Sequence, residues 1–389
     1  MRKLALTGLS LIALSIACVG LNAYRVVHVA GGGHELYAAG QGAVTASDIQ
    51  MVSEHVQTSP VESSSLTGVS FISTSVGFLA GNDGIYKTAD GGKTWSRLYH
   101  SNDPVLGVQA KYQPEGSKQY VVAYTKTNLL VSTNGKAFSK ETVPNIGTFQ
   151  FEGVSLLDNG VMWVLNNGSV LGSDPMTGQL KDLIPGKKVG SLALSSPEVG
   201  YVTVDQSILK TTDHGQHWTK VFTAPLKNGP WRTKLEATGN HVAVLFYGGD
   251  AGMGQSAYIL YQSNDAGRTW DPTVSEGYFS SDYMGARPRS GTNAGEQPGP
   301  FKLLPTGELF MLGLKSNHGG LTTLTGFTSR GKFAFQRVVG TDRMNVFDFL
   351  NAPIAISAVD SQHIWVVGSK DKHPVILRSK DGGLSWMRA

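Results

Sequence analysis

Thr88-Ala89-Asp90-Gly91-Gly92-Lys93-Thr94-Trp95 is the stretch that decides the fold, because its pattern returns three more times along the chain. Each copy has a hydroxyl residue, an Asp two positions later, a Gly two beyond the Asp and a Trp three beyond that Gly. The other copies are Thr211-Thr212-Asp213-His214-Gly215-Gln216-His217-Trp218, Ser263-Asn264-Asp265-Ala266-Gly267-Arg268-Thr269-Trp270 and Ser379-Lys380-Asp381-Gly382-Gly383-Leu384-Ser385-Trp386. A motif that recurs in this way indicates a repeat architecture.

The residue types in this motif are those of a tight turn between two strands, and we call each copy an Asp turn. Asp and the hydroxyl residue accept N–H groups of their own loop, and Gly adopts the positive φ that a sharp reversal requires. Trp then begins the next strand and buries a large ring. We therefore predict structural, non-catalytic roles for Asp90, Trp95, Asp213, Trp218, Asp265, Trp270, Asp381 and Trp386.

The motif resembles the Asp-box, also called the BNR repeat. The resemblance implies a β-propeller in which each box forms the hairpin between the third and fourth strands of a blade. One four-stranded blade takes about 40–50 residues, so the intervals between the four Asp residues hold about three, one and two repeats. Degenerate copies of the motif fill these intervals at residues 132–138, 171–174 and 328–335. The predicted fold is all-β: a seven-bladed propeller with four-stranded antiparallel blades over residues 66–389.

A second landmark precedes two of the Asp turns. Val-Gly-Phe at residues 76–78 and Val-Gly-Tyr at residues 199–201 are each followed by a strand that ends in Lys-Thr-x-Asp-x-Gly-x-x-Trp. This order resembles that of the photosystem II stability and assembly factor family, whose members are exported Asp-box propellers. The resemblance covers residues 66–389 at the level of the repeat. It implies an exported propeller. Because the shared residues belong to the repeated blade, the resemblance says more about the fold than about the function.

The N-terminus predicts export. Arg2 and Lys3 precede an uncharged apolar run that ends at residue 23. Such a run is typical of a secretory signal or a signal anchor, and at ~1.5 Å per residue it is long enough to span a bilayer. We expect an extracytoplasmic protein that is tethered to the membrane through residues 1–23. The polar stretch at residues 24–65 is interpreted as an irregular spacer.

Cys18 is the only cysteine, so no internal disulfide is possible. The residues before it resemble a bacterial lipobox, the signal for lipid attachment to cysteine, although Ser15 stands where that box usually has Leu. Lipidation of Cys18 and an uncleaved transmembrane anchor are therefore both open interpretations.

The composition limits the possible ligands. Glycine, at 48 of 389 residues, is well above the usual ~7%, as expected for a chain rich in hairpins. Beyond residue 23 the chain has 31 bases and 29 acids, and this near-balance gives no reason to expect nucleic acid. His217, His241 and His318 lack the spacing of metal ligands, so we expect neither a metal nor a cofactor. We also expect a monomer.

Long loops predict where a partner binds. The Asp turns lie at one end of the blades, whereas the loops between the second and third strands and the connections between blades lie at the opposite end. The long segments all fall at that opposite end of blades 4 to 7, at residues 224–234, 247–257, 275–302, 315–321 and 340–353. Scaffold loops carry function more often than strands do. The segment at residues 247–254 is rich in glycine and is interpreted as a turn, because it lacks the helix and lysine of a phosphate loop.

The longest of these segments supplies the candidate binding residues. Aromatic residues and Arg are enriched at the energetic centres of interfaces. The predicted anchors are Tyr278, Phe279, Tyr283, Arg287 and Arg289, with Trp231 and Arg232 nearby. We predict a non-catalytic scaffold for binding or assembly, whose partner is a membrane or cell-wall protein.

Two alternatives remain, a glycoside hydrolase and a carbohydrate-binding module for a glycan. Asp-boxes occur in sialidases and other glycosidases, so an enzymatic role stays open. The Arg-Ile-Pro motif of sialidases is absent from this sequence. A general glycosidase needs only two carboxylates that flank the scissile bond, and Asp250, Asp282 and Glu296 are the candidates in the long loops.

Overall fold

The structure is a computed structural model. It describes residues 24–29, 33–38, 43–44, 61, 65–113, 117–141, 151–173, 180–226, 229–230, 232–252, 255–276, 294–315, 321–340, 352–370 and 373–389. The chain divides into two compact units, Met1–Ser59 and Pro60–Ala389. The predicted signal segment and Cys18 lie outside the described residues, so export and tethering stay predictions. No helix long and apolar enough to cross a membrane occurs in the part of the chain that is described.

The first unit contains a small antiparallel sheet with the strand order β1-β2-β3. Its strands are β1 (Tyr24–Val29), β2 (Gly33–Ala38) and β3 (Ala43–Val44). The sequence predicts irregular backbone here, whereas valine and tyrosine in these runs favour strands. The predicted boundaries at residues 23 and 65, and the role of this stretch as a spacer, stay predictions.

The second unit consists of seven four-stranded antiparallel sheets, each made of four consecutive strands. Blades 1 to 4 comprise β4 (Leu66–Phe71), β5 (Gly77–Gly81), β6 (Gly84–Thr88) and β7 (Ser96–His100); β8 (Gly107–Gln113), β9 (Lys118–Tyr124), β10 (Leu129–Ser132) and β11 (Ser139–Glu141); β12 (Phe151–Leu156), β13 (Met162–Asn166), β14 (Ser169–Ser173) and β15 (Leu180–Asp182); and β16 (Val189–Leu194), β17 (Gly200–Val204), β18 (Ser207–Thr211) and β19 (Thr219–Thr223).

Blades 5 to 7 follow the same order. They comprise β20 (Arg232–Thr238), β21 (His241–Gly252), β22 (Gln255–Ser263) and β23 (Asp271–Glu276); β24 (Gln297–Leu303), β25 (Leu309–Lys315), β26 (Leu321–Phe327) and β27 (Phe333–Val338); and β28 (Ala352–Ala358), β29 (Ile364–Lys370), β30 (His373–Ser379) and β31 (Met387–Arg388). The prediction of a seven-bladed propeller with four-stranded antiparallel blades is confirmed.

The first strands of the blades form a ring around a central axis. Each one contacts the first strand of the next blade, and β28 of blade 7 contacts β4 of blade 1. No strand is exchanged between the two ends of the ring, because blades 1 and 7 each use four consecutive strands. The ring is therefore closed by side-chain packing and hydrogen bonds between blades.

The described hydrophobic core lies between the blades, with one cluster of buried side chains at each of the seven junctions. At the closing junction, the ring of Phe71 in blade 1 stacks on Trp365 in blade 7 with 3.7 Å between centroids. Leu79 and Val367 join the same cluster. Burial of large apolar side chains stabilises a fold by about 1.5–3 kcal/mol each, so every junction contributes to the stability of the ring.

A recurrent hydrogen bond, which we call the inter-blade belt, crosses five of these junctions. A side chain near the end of one first strand accepts the N–H of the next first strand. In blades 1, 2 and 3 the residue after that acceptor also donates its own N–H to the preceding blade. The bonded pairs are Ser357 Oγ and Phe71 N (2.9 Å), Ser70 Oγ and Ala110 N (2.9 Å), Gln109 Oε1 and Leu156 N (3.0 Å), Ser155 Oγ and Leu194 N (2.9 Å), and Glu236 Oε2 and Leu303 N (2.9 Å).

The belt changes at the other two junctions. Between blades 4 and 5 its position is occupied by Ala193, and the hydroxyls of Ser191, Thr203 and Thr233 bond to one another instead, at 2.6–3.1 Å. Between blades 6 and 7 its position is occupied by Lys302, whose ammonium group turns back to blade 5. The belt bond is therefore present at the closing junction between blades 7 and 1 and between blades 5 and 6, but it is missing between blades 4 and 5 and between blades 6 and 7.

Ser357→Ala tests the closing bond of the belt. The N–H of Phe71 is buried and would lose its acceptor, so we expect the free energy of unfolding to fall by ~1–3 kcal/mol. The measurement is urea unfolding followed by tryptophan fluorescence. Thr219→Ala, an exposed change on β19, is the control, and an equal effect in both variants would show that the bond does not stabilise closure.

Candidate functional site

The carboxylate of each Asp turn is surrounded by donors of its own turn. Asp90 Oδ1 accepts the hydroxyl of Thr88 at 2.8 Å and the N–H of Thr94 at 2.9 Å, and its Oδ2 accepts the Thr94 hydroxyl at 2.7 Å. Thr88 Oγ1 accepts the N–H of Gly92 at 2.9 Å. Asp265 and Asp381 repeat these bonds. This is the arrangement of a structural turn, with both carboxylate oxygens engaged locally.

These bonds favour the charged carboxylate. Bonds from the Ser385 hydroxyl and backbone lower the pKa of Asp381 to about 2. Partial burial acts to raise the pKa of Asp265, but bonds from Thr269 and Ser263 outweigh it and lower the pKa to about 2. At Asp213 the backbone and ring of His217 replace the second hydroxyl, with Nδ1 at 2.6 Å from Oδ2, and they also lower the carboxyl pKa.

The basic residue before three of the Asp turns joins its blade to the next one. Each lies directly across from an aromatic residue of the second strand (Phe78, Tyr201 or Trp365). Each donates to a main-chain carbonyl in the turn of the following blade. The bonds are Lys87 Nζ to Gly135 O (3.0 Å), Lys210 Nζ to Ala266 O (2.9 Å) and Arg378 to Gly91 O (3.3 Å). These cations therefore already have structural partners.

The predicted binding anchors fall almost entirely outside the described residues: Trp231, Tyr278, Phe279, Tyr283, Arg287 and Arg289. Arg232 is described. It is exposed at the start of β20 and pairs with Tyr247 of β21. Burial raises the pKa of Tyr247 to about 12, against the opposing charge of Arg232. The predicted assembly of these anchors into one surface stays a prediction.

The sequence predicts a turn for the glycine-rich segment at residues 247–254, and this prediction is wrong for the part that the structure describes. Strand β21 runs on to Gly252, and β22 begins at Gln255. Asp250 pairs with Ser256, and register shifts interrupt the ladder on both sides of it. Main-chain hydrogen bonds do not need particular side chains, and such irregularities bend a strand. We call residues 248–252 and 255–257 the hairpin extension; they lengthen blade 5 at the end opposite the Asp turns.

Charged side chains meet near the axis in a group that the sequence does not predict. Glu236, the belt residue of blade 5, also lies 3.3 Å from Lys302 Nζ and 3.9 Å from Lys234 Nζ. Lys234 Nζ donates to the Phe301 carbonyl at 3.2 Å and lies 4.9 Å from the centre of that ring. We call Lys234, Glu236 and Lys302, together with Lys111 of blade 2, the axial cluster.

Lys111 reaches the cluster from the other side of the ring. Burial, followed by the charge of Lys302, lowers the pKa of Lys111 to about 8, while Glu236 and Asp158 oppose the shift. Blades 5 and 6 are neighbours, whereas blade 2 lies on the other side of the ring of seven, so the charge of Lys111 acts on those of Glu236 and Lys302 across the axis. Lys111 is exposed to solvent, although many protein atoms surround its ammonium group. It makes no hydrogen bond or ion pair with any described residue.

The histidines considered from the sequence have separate environments. His217 bonds Asp213, His241 bonds Asn264 at 2.9 Å, and His318 lies outside the described residues. No group of three His, Cys, Asp or Glu residues that could hold a metal ion occurs in the described ranges.

Comparisons with known proteins describe the fold. No family model matches the chain. No curated protein matches it either. Similar solved structures include the WD40 β-propeller domain of Doa1, at 15% identity and a TM-score of 0.51, covering 82% of this chain and 94% of that one.

Two further structures have lower scores. YCF48 bound to a D1 peptide has 15% identity and a TM-score of 0.39, covering 84% of this chain and 82% of that one. The GH74 enzyme of Niastella koreensis has 13% identity and a TM-score of 0.41, covering 94% of this chain and 63% of that one. At these identities the similarity concerns the propeller fold alone.

Asp265→Asn tests the contribution of the Asp turns to acid stability. Unfolded Asp has a pKa of ~3.9, whereas folded Asp265 and Asp381 have pKa values of about 2. The unfolded chain therefore takes up protons first, and stability present above about pH 4 is lost as the pH falls towards 2. We expect a smaller loss in the variant than in the wild type, measured as the melting temperature between pH 2 and pH 6.

Asn keeps one acceptor oxygen, as Asn134 does in blade 2, where it accepts the N–H groups of Lys136 and Ala137 at 2.9 and 3.0 Å. Asp265→Ala removes both acceptors and serves as the second variant. After allowance for solvent exposure we expect it to cost ~1 kcal/mol at neutral pH. An acid dependence that is the same in all three proteins would contradict the assignment.

Proposed function

We propose that this chain is an exported, membrane-tethered propeller that binds another protein and catalyses no reaction. The observation that carries the proposal is the hairpin extension. Strand β21 has 12 residues and β22 has nine, whereas the second strands of the other blades have five to seven. Blade 5 thus has additional folded backbone at the end where the long loops lie.

Contacts at the other end of the blades support the choice of this surface for partner binding. The carboxylates of the Asp turns are engaged within their own turns. Lys87, Lys210 and Arg378 are bonded to neighbouring blades. The carboxylates of the Asp turns and these three basic side chains therefore already have partners within the propeller. The opposite end of blade 5 has the hairpin extension and exposed Arg232, and strand β23 ends there at Glu276, where the aromatic and Arg-rich segment of the sequence begins.

The N-terminal sequence and the motif resemblances support the setting. A signal or anchor at residues 1–23, followed by the stretch to residue 65, would hold the propeller outside the cytoplasm near a membrane. A membrane or cell-wall protein is then the natural partner. The Asp-box resemblance of the four turns, and the order of motifs similar to photosystem II assembly factors, agree with a role in assembly.

Hydrolysis of a glycoside has less support. It requires two free carboxylates about 5–10 Å apart on either side of the scissile bond. Glu236 near the axis is occupied by Lys302 and by the N–H of Leu303. We therefore keep glycan binding and hydrolysis as outcomes of the test.

Cross-linked affinity capture from native membranes tests the proposal with the tagged full-length protein. The loop variant replaces Trp231, Arg232, Tyr278, Phe279, Tyr283, Arg287 and Arg289 with Ala. The matched control carries Lys380→Ala and Leu384→Ala in the Asp turn of blade 7, where Leu384 is 66% exposed. We expect one protein to be enriched at least tenfold by the wild type and the control and to be lost with the loop variant.

Equal enrichment by all three proteins would show that the surface is wrong. Absence of any enriched protein would show that the scaffold proposal is wrong. Binding and hydrolysis of oligosaccharides would then be measured with the same variants.

A further inference from the structure

We propose that an extended segment of the partner protein adds to the hairpin extension of blade 5 as a further β-strand, the mode of binding known as β-augmentation. This inference rests on the proposed function, because it names the part of the partner that the surface opposite the Asp turns holds. It is carried by the main chain and the sequence of residues 248–252 and 255–257.

The strands on either side of the hairpin extension end at its base. Strand β20 begins at Arg232, which pairs with Tyr247, and β23 ends at Glu276, which pairs with Tyr258. Beyond these pairs, neither edge of the extension is paired with another strand of the described chain. Pro230, which precedes β20, lies outside any strand and has no N–H to donate. Both edges therefore offer main-chain groups to an incoming strand.

The ladder within the hairpin extension is itself incomplete. The pairing shifts on both sides of Asp250, so that Gly248, Gly249 and Ala251 have no paired residue on β22. A residue at such a shift leaves its main-chain N–H and C=O groups outside the ladder. These groups need hydrogen-bond partners once they are removed from water, and a strand that lies along β21 supplies them.

The hairpin extension lacks the residues that protect the other edges of the propeller. Charged side chains, lysine above all, and proline keep an exposed edge from pairing with another chain. Six of the seven outer strands contain a basic residue: Arg97, Lys140, Lys181, Lys220, Arg337 and Arg388. The seventh, β23, contains Pro272. The extension contains no lysine, arginine or proline, and its single charged residue is Asp250. It is thus the edge best suited to accept a strand.

The composition of the extension defines what it binds. Three of the five residues at the end of β21 are glycine, and glycine in a strand often marks a place where another backbone approaches closely. Such residues offer little side-chain chemistry, so binding depends on main-chain hydrogen bonds. Arg232 is exposed at the base of the extension and supplies a cation there. The occupant is therefore an extended segment with an acidic residue at the end that lies near Arg232.

Peptide selection on the full-length protein in detergent tests the added strand. A phage-displayed library of random dodecapeptides is the probe, and selected peptides are synthesised for fluorescence anisotropy. We expect peptides that share an acidic residue near one end. Methylation of alternate main-chain nitrogens should weaken binding at least tenfold, because it removes the donors of an added strand. Hydrogen–deuterium exchange of the protein should slow in the hairpin extension when a peptide is bound.

Variants of the extension separate main-chain pairing from side-chain contact. Gly249→Pro and Ala251→Pro each remove an N–H of a residue without a partner on β22, whereas Ala251→Ser keeps that N–H and is the matched control. In the short variant, Asn-Gly replaces residues 248–257. Tyr247 and Tyr258 pair directly, so this dipeptide can close a two-residue hairpin. We expect at least a tenfold loss of affinity in the short variant and in one or both proline variants, and no loss in the control. Unchanged melting temperatures would show that the variants are folded.

Three results would overturn the added strand: no peptide is selected, the folded short variant binds peptides as tightly as the wild type, or exchange in the extension is already slow without a peptide. The last result would show that this chain or a second copy of it covers the edge. A membrane partner that is lost with the loop variant but retained by the short variant would also contradict the added strand and would leave the scaffold proposal standing. Peptide binding without any captured partner would support the edge and contradict the scaffold.

Discussion

The contact between neighbouring blades is the interaction on which the whole ring depends. Seven clusters of buried side chains lie at the seven junctions. The closing junction uses the same kinds of bond as the internal ones: the Phe71 N–H donates to Ser357 Oγ, and Arg378 donates to the Gly91 carbonyl. No strand crosses from one end of the chain to complete the other blade. Among the described residues, closure therefore depends on the same kinds of contact as the other junctions, so weakening any junction is expected to destabilise the ring as a whole.

Much of this fold was predictable because its signals are local. An Asp turn fits in eight residues, and its bonds join atoms at most four positions apart, as Thr88, Asp90, Gly92 and Thr94 show. The degenerate copy in blade 2 is recognisable because Asn134 retains one acceptor oxygen. The lysine that precedes two of the Asp turns, Lys87 or Lys210, can be recognised in the sequence, but its bond to the next blade cannot. That bond requires the register between two sheets, which only the assembled ring provides.

The rest could not be predicted, for two physical reasons. Glycine at residues 247–254 favours a turn by local preference, yet main-chain pairing continues β21 and β22 through it. Lys111, Glu236 and Lys302 are distant in sequence and look like ordinary surface charges. They come together only because first strands on different sides of the ring face one axis. The sequence does place a charged residue, Glu236 or Lys302, at the belt position of blades 5 and 6. That position can be recognised only after the strands of the seven blades have been superposed, so the charges do not stand out in the sequence alone.

The interruptions of the belt flank blades 5 and 6, which carry the hairpin extension and most of the axial cluster. Local rules of a fold tend to be broken at functional sites. Blades 7, 1 and 3 use serine at the belt position and blade 2 uses glutamine. Blade 5 uses a carboxylate, which can both accept the belt N–H and bind lysine. Blade 6 gives up the bond, and its Lys302 faces the axis. The hydroxyls of Ser191, Thr203 and Thr233 compensate between blades 4 and 5. Lys302 bonds to Glu236 of blade 5 at 3.3 Å instead, so the charged pair adds a second contact between blades 5 and 6 where the belt bond to blade 7 is missing.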